Sequence, residues 1–143
     1  IFNNGNMKRD FTYIDDVVES IFLCCVREDK SIKNSSILIL GITYKKNVDD
    51  MRESPAVKLM NLLVIKGAKI NYSDPYIKEF PKIRNYQFDM KNIFLDPEKL
   101  STFDAVVLIT DHDSFDYDMI QKHSKLVIDT RGRWSPAGNI IRG

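Results

Sequence analysis

Apolar residues gather in short dense runs along this chain, and the gaps between the runs define its elements. Residues 36–40 (SILIL) and 104–110 (DAVVLIT) are nearly continuous and rich in β-branched side chains, as expected of strands covered on both faces. Residues 68–72 (AKINY) alternate, and 126–129 (LVID) form a further run, so both read as strands. Between the first two strands, Ser54-Pro55 predicts a helix start, with serine as N-cap and proline in the first turn. That helix continues through AVKLMNLLVIK and stops at Gly67. Ser54, Lys58 and Asn61 leave it only a narrow polar stripe, which predicts heavy burial. Further on, the pattern predicts a short strand at 86–88 (YQF) and a short helix from Pro97 to Ser101. Another helix, capped by Asp113 or Ser114, runs to about His123. At the front, Val17, Val18, Ile21, Phe22, Cys25 and Val26 share one helical face after a cap at Asp15 or Asp16. The tail from Thr130 onward carries no period.

Strand, helix and strand within residues 36–73 make a βαβ unit, for which a right-handed crossover is expected. Repetition of that theme predicts an α/β, Rossmann-like three-layer sandwich with a mostly parallel sheet, preceded by an N-terminal helix. Ligands of such sheets bind beyond the carboxyl ends of the strands. Here those ends carry residues 41–53, 74–76, 110–113 and 130–133.

The loop at 43–53 is longer than the two to six residues usual between a strand and its helix, and such excess is commonly functional. It sets Lys45, Lys46 and Arg52 against Asp49, Asp50 and Glu53. Only Gly41 remains of the G-x-G-x-x-G fingerprint, so a dinucleotide pyrophosphate is not expected here in the standard way. Lysine as a point charge and arginine as a fork could hold a phosphate instead, beside the helix start at Ser54. The opposing reading is a solvated loop whose charges pair internally. Tyr44 reads either as a stacking surface or as a core aromatic at a strand end. Arg131 and Arg133 read either as part of a diphosphate clamp or as surface charges. In Asp111-His112-Asp113, neighbouring side chains diverge, so no metal site is expected; His112 reads as a polar residue packed at the crevice. Asp74-Pro75 reads as a turn. No catalytic nucleophile–histidine pair is predicted.

Composition narrows the partners. The 143 residues carry a net charge of +1, so no nucleic acid partner is expected. No apolar run approaches the roughly 20 residues of a membrane span. The opening IFNNGNMKRD lacks the apolar core of a signal peptide. It also lacks an initiating methionine and reads as a fragment or a processed chain. Cys24 and Cys25 are adjacent and ill suited to pair with each other, which points to a reducing, cytoplasmic setting.

The stretch GITYKKNVDDMRESPA (41–56) resembles the motif that opens the C-terminal domain of the UDP-glucose/GDP-mannose dehydrogenase family. KGAKINYSDPY (66–76), DAVVLITDH (104–112) and LVIDTR (126–131) are similar to later parts of that domain, in the same order. The wording YKKNVDDxRESP resembles the branch acting on UDP-N-acetylhexosamines. The resemblance implies a UDP-sugar-binding domain over 31–143, from an enzyme that oxidises the sugar C6 alcohol to a carboxylate with NAD. It implies substrate contacts from Tyr44, Lys45 and Arg131, and an approach to the cofactor by Arg52. The family's catalytic cysteine motif and NAD-binding loop have no counterpart here, so no catalytic residue and no NAD held by this chain alone are expected. Its partners would be UDP-sugar, a separate NAD-binding domain, or a second copy. Residues 5–21 (GNMKRDFTYIDDVVESI) resemble instead a segment of nucleotide-sugar epimerases, which makes 1–30 an epimerase-like segment and linking helix. Alternative readings are a non-catalytic interaction or dimerisation module, and the remnant of a fused epimerase-dehydrogenase.

Overall fold

In the computed structural model the described residues are 32–84, 86, 88 and 90–142. The expected front helix, the 1–30 segment and both cysteines lie outside them. The elements are β1 (Ser36–Leu40), α1 (Pro55–Ile65), β2 (Lys69–Ser73), α2 (Pro97–Thr102), β3 (Ala105–Leu108), α3 (Tyr117–His123), β4 (Val127–Asp129) and β5 (Ile140–Arg142). The sheet order is β2-β1-β3-β4-β5, and all four pairings are parallel.

Alternation along the strands builds three layers. On one face, Ile37 and Ile39 of β1, Val107 of β3 and Ile128 of β4 pack with Ala56, Val57, Leu59, Met60 and Leu63 of α1. On the other, Leu38, Leu40, Val106, Leu108 and Val127 pack with Leu100 of α2, Ile120 of α3 and Trp134. Every residue of β3 is buried, which accounts for its unbroken apolar run. Each such side chain contributes roughly 1.5–3 kcal/mol by leaving water.

Local signals explain the helix ends. Ser54 has extended backbone and its Oγ accepts from the Ala56 N–H at 3.2 Å, with Pro55 following. At the far end Gly67 takes φ +87, and its N–H and that of Ala68 donate to the Val64 and Leu63 carbonyls. Helix α1 is less buried than its composition predicts. Val64 and Ile65, in its last turn, are exposed. Helix α3 starts later than expected: the cap is Asp116, accepting from Met119 N–H at 3.0 Å, not Asp113 or Ser114. Of the short strand expected at 86–88, residue 87 lies outside the described residues; Tyr86 makes an isolated antiparallel bridge to Ile83. The tail is not irregular throughout, since β5 adds a fifth parallel strand beside β4.

From β1 the chain crosses to β2 on one side and later returns to β3 on the other. The strand order therefore reverses between β1 and β3, and a crevice is expected beyond their carboxyl ends.

Candidate functional site

The switch point between β1 and β3 brings together the loops at 41–54 and 109–116. Gly41 is what allows their close approach. It has φ +73, and a Cβ there would lie 2.1 Å from the Thr110 carbonyl oxygen. On its side-chain side this glycine is filled in by Thr110.

Beyond Gly41 the loop is fastened by hydrogen bonds. Thr110 Oγ1 donates to the Thr43 carbonyl at 2.6 Å. Thr43 Oγ1 donates to the Lys45 carbonyl at 2.8 Å. The Tyr44 N–H donates to the Asp50 carbonyl at 2.8 Å and closes the loop on itself. Asn47, at φ 62, exchanges two bonds with Asp113: its Nδ2 donates to Oδ2 at 2.7 Å, and its Oδ1 accepts from the Asp113 N–H at 3.0 Å. Those contacts, Asn47 first and then Lys46, hold the Asp113 carboxyl below its usual range.

Beneath the loop lies a buried polar hub that the sequence reading did not assemble. His112 is fully buried, with Nε2 3.1 Å from both Thr43 Oγ1 and Asp74 Oδ2. Its Nδ1 accepts from the Asn47 N–H at 2.9 Å. Asp74 also accepts from Ile42, Tyr76 and Ile77 N–H groups, at 2.7, 2.8 and 3.2 Å. Burial pushes its carboxyl up. The His112 ring and the Ile42 and Tyr76 N–H groups outweigh that and leave it below the ordinary value. Asp74-Pro75 is thus a turn, as expected, but one whose carboxylate ties three loops together. The available signal was position: Asp74 and His112 each stand one or two residues beyond an apolar strand run.

The sequence-predicted site residues fall in different places. Tyr44 is 55% exposed and so is not a core aromatic. Lys45 places its ammonium 5.8 Å from the Tyr44 ring centroid and has no carboxylate partner among the described residues. Arg131 follows β4, and its Nε lies 3.4 Å from Asp111 Oδ1. Asp129 shapes that turn by accepting from the Arg131 and Trp134 N–H groups at 2.9 and 2.8 Å. Residues 110–113 therefore hold the Tyr44–Lys45 loop on one side and Arg131 on the other.

Arg52 stands apart. It lines a cleft of about 700 Å³ between residues 49–54 and 76–86, shared with Lys58, Tyr76 and Arg84. Asp50 grips its guanidinium at Nε and Nη2, at 3.0 and 2.8 Å, and this pairing pulls the Asp50 carboxyl down to about 2. The internally paired reading thus holds for Arg52 and for Lys46, which meets Asp113 at 3.2 Å, but not for Lys45. Arg133 is exposed and lies 4.2 Å over the Tyr117 ring. Burial first, and the Asp111 charge second, push the Tyr117 hydroxyl up to about 12; that hydroxyl donates to the His112 carbonyl at 2.7 Å. Among the described residues no group of three His, Cys, Asp or Glu side chains is placed to hold a metal ion, and no helix is long and apolar enough to cross a membrane.

Comparison with known proteins follows this geometry. The model of the UDP-glucose/GDP-mannose dehydrogenase family, UDP binding domain, matches residues 38–136. An NDP-N-acetyl-D-galactosaminuronic acid dehydrogenase of Ralstonia solanacearum is 34% identical over 110 residues, covering 74% of this chain and 25% of that protein. A UDP-N-acetyl-D-mannosamine dehydrogenase of Escherichia coli K12 is 28% identical over 131 residues, covering 90% and 30%. The chain thus spans about a quarter to a third of the length of these relatives. The solved NDP-N-acetyl-D-galactosaminuronic acid dehydrogenase of Methanosarcina mazei Go1 shares the fold, with TM-score 0.72 and 21% identity over 91% of this chain and 28% of that one.

Proposed function

Because the chain belongs to the UDP-glucose/GDP-mannose dehydrogenase family, through its UDP binding domain, we propose that it binds the nucleotide-sugar of a UDP-sugar 6-dehydrogenase. The whole enzyme would oxidise the sugar C6 alcohol to a carboxylate with NAD. Relatives named for N-acetylated hexosamine and hexosaminuronic acid substrates support that branch. This chain would hold substrate without turning it over alone, in a cytoplasmic enzyme.

The observation that carries the reading is the Tyr44–Lys45 pair. A loop fixed at both ends presents an exposed ring beside a cation that has no carboxylate partner among the described residues, at the switch point of a parallel sheet. Lys45 would meet the diphosphate as a point charge, Tyr44 would stack on the nucleoside or sugar, and Arg131 would add its fork from the neighbouring loop. Asp111 is the acceptor Arg131 would exchange for phosphate. Arg52, exposed on its own cleft, would reach toward an NAD held by a separate domain or a second copy.

Titration of the chain with UDP and UDP-N-acetylhexosamines, followed by calorimetry and amide shifts, tests the reading. Shifts are expected at Tyr44, Lys45 and Arg131. Lys45→Ala should weaken binding about tenfold or more, the usual worth of a hydrogen bond to a charged group. A flat titration at millimolar ligand, or an unchanged Lys45→Ala, would turn the assignment to a non-catalytic interaction module.

A further inference from the structure

The hydrogen bonds around His112 fix its protonation. The Asn47 N–H is only a donor, so Nδ1, 2.9 Å away, must be the unprotonated nitrogen. Thr43 Oγ1 spends its own proton on the Lys45 carbonyl, so toward His112 it accepts. Asp74 Oδ2 is also an acceptor. Nε2 therefore carries the proton and shares it between Thr43 and Asp74. The ring packs against Tyr76 at a tilt and edge-to-face against Phe115, with centroids 5.0 and 5.6 Å away. Both nitrogens are thus used, and they do different work. Nε2 ties down Thr43, immediately before Tyr44, and joins the β1 and β2 loops through Asp74. Nδ1 ties down Asn47, which sits at φ 62 two residues beyond Lys45.

We propose that His112, as the neutral Nε2–H tautomer, is the positioning residue that holds the Thr43–Asn47 loop in its ligand-receiving shape. The proposal rests on the nucleotide-sugar reading of that loop. His112 touches no ligand. It removes backbone freedom on both sides of Tyr44 and Lys45 before binding, so that less ordering is lost when the diphosphate arrives.

The two nitrogens can be separated by substitution. In His112→Asn the amide oxygen replaces Nδ1 and keeps the Asn47 contact, while the donor to Asp74 is lost. In His112→Gln the amide NH2 replaces Nε2 and keeps the Asp74 contact, while Asn47 loses its acceptor. His112→Phe loses both. We expect His112→Phe and His112→Gln to weaken UDP binding about tenfold, the scale of ordering one or two backbone residues. His112→Asn should recover most of that affinity, because Thr110 still fastens Thr43 through its carbonyl, although it is thermally less stable than His112→Gln. Ring 15N shifts of the unsubstituted chain should show Nε2 protonated and Nδ1 bare. Hydrogen exchange at Asn47 should be slow in the unsubstituted chain and in His112→Asn, and fast in His112→Gln. Affinity losses that merely follow thermal stability across the three variants would overturn the proposal, as would a protonated Nδ1. Should the unsubstituted chain bind no nucleotide, the site assignment fails by itself, while Asn47 exchange still decides whether His112 orders the loop.

Discussion

Gly41→Ala is expected to remove a large part of the stability of this domain. Two costs add. The residue sits at φ +73, where an L side chain costs about 1–2 kcal/mol. Its new Cβ would also stand 2.1 Å from the Thr110 carbonyl oxygen and 2.7 Å from Thr110 Cβ. That neighbour is backbone next to a fully buried strand and cannot swing away. Relief requires β1 and β3 to part at their carboxyl ends, where the Ile109 and Thr110 N–H groups donate to the Leu40 carbonyl at 2.9 and 3.3 Å. The Thr110 hydroxyl bond to Thr43 would go with them. The sum should exceed about 3 kcal/mol, a large part of the roughly 5–15 kcal/mol that holds an ordinary domain together. Gly138→Ala is the control: it has φ +51 but nothing within 4 Å of a built Cβ, so only the backbone term applies. Denaturant midpoints of the two variants decide the matter. Equal midpoints would mean that Thr110 yields and that the approach of the two strands is not tight.

The same residue shows where sequence reading succeeds and where it stops. That Gly41 is the lone glycine after an apolar run was visible along the chain, and it argued against a dinucleotide cradle. What it packs against was not visible, because Thr110 is 69 positions away. The buried strands and α1 were legible because their signals are local: β-branched runs, and a Ser-Pro start. Helix α3 starts later than expected because Asp116 stands within three residues of the expected caps Asp113 and Ser114, and spacing alone does not choose among them. Asp113 is instead occupied by Asn47 and Lys46. Strand β5 was missed because three residues give no period; it exists through its pairing with β4, not through its own pattern. Of the candidate site, Tyr44 and Lys45 stood out as an unusual loop. The support beneath them did not, since Asp74 and His112 meet across 38 positions and the local pattern around each says nothing of the other.

Loss of the Asp74 carboxylate should rival Gly41→Ala in effect and should carry a pH signature. In Asp74→Ala, the Ile42, Tyr76 and Ile77 N–H groups and His112 Nε2 lose a shared acceptor in a site closed to water. A buried donor left without a partner costs about 1–3 kcal/mol, so a loss of about 3–5 kcal/mol is expected once partial relaxation is allowed. Asp74→Asn keeps one acceptor oxygen but turns an NH2 toward a donor, and should fall between Ala and the unsubstituted chain. The sign of the pH effect follows from the direction of the carboxyl's shift. Burial raises it, while His112 and the backbone N–H groups lower it further, so the folded carboxyl is the stronger acid. Its stabilising contribution is therefore complete above the unfolded value of about 3.9 and fades as pH falls through the lower folded value. The gap between the unsubstituted chain and Asp74→Asn should stay constant from about pH 7 to pH 5, then narrow as the buried carboxylate takes up its proton. The lowered Asp50, Asp96 and Asp113 carboxyls are exposed and present in both proteins, so their screened contributions cancel in the comparison. Denaturant unfolding of both proteins across that range reads the difference directly. A gap that widens in acid would mean that burial, and not the His112 and N–H contacts, governs Asp74, and that the hub destabilises the ionised form it is built around.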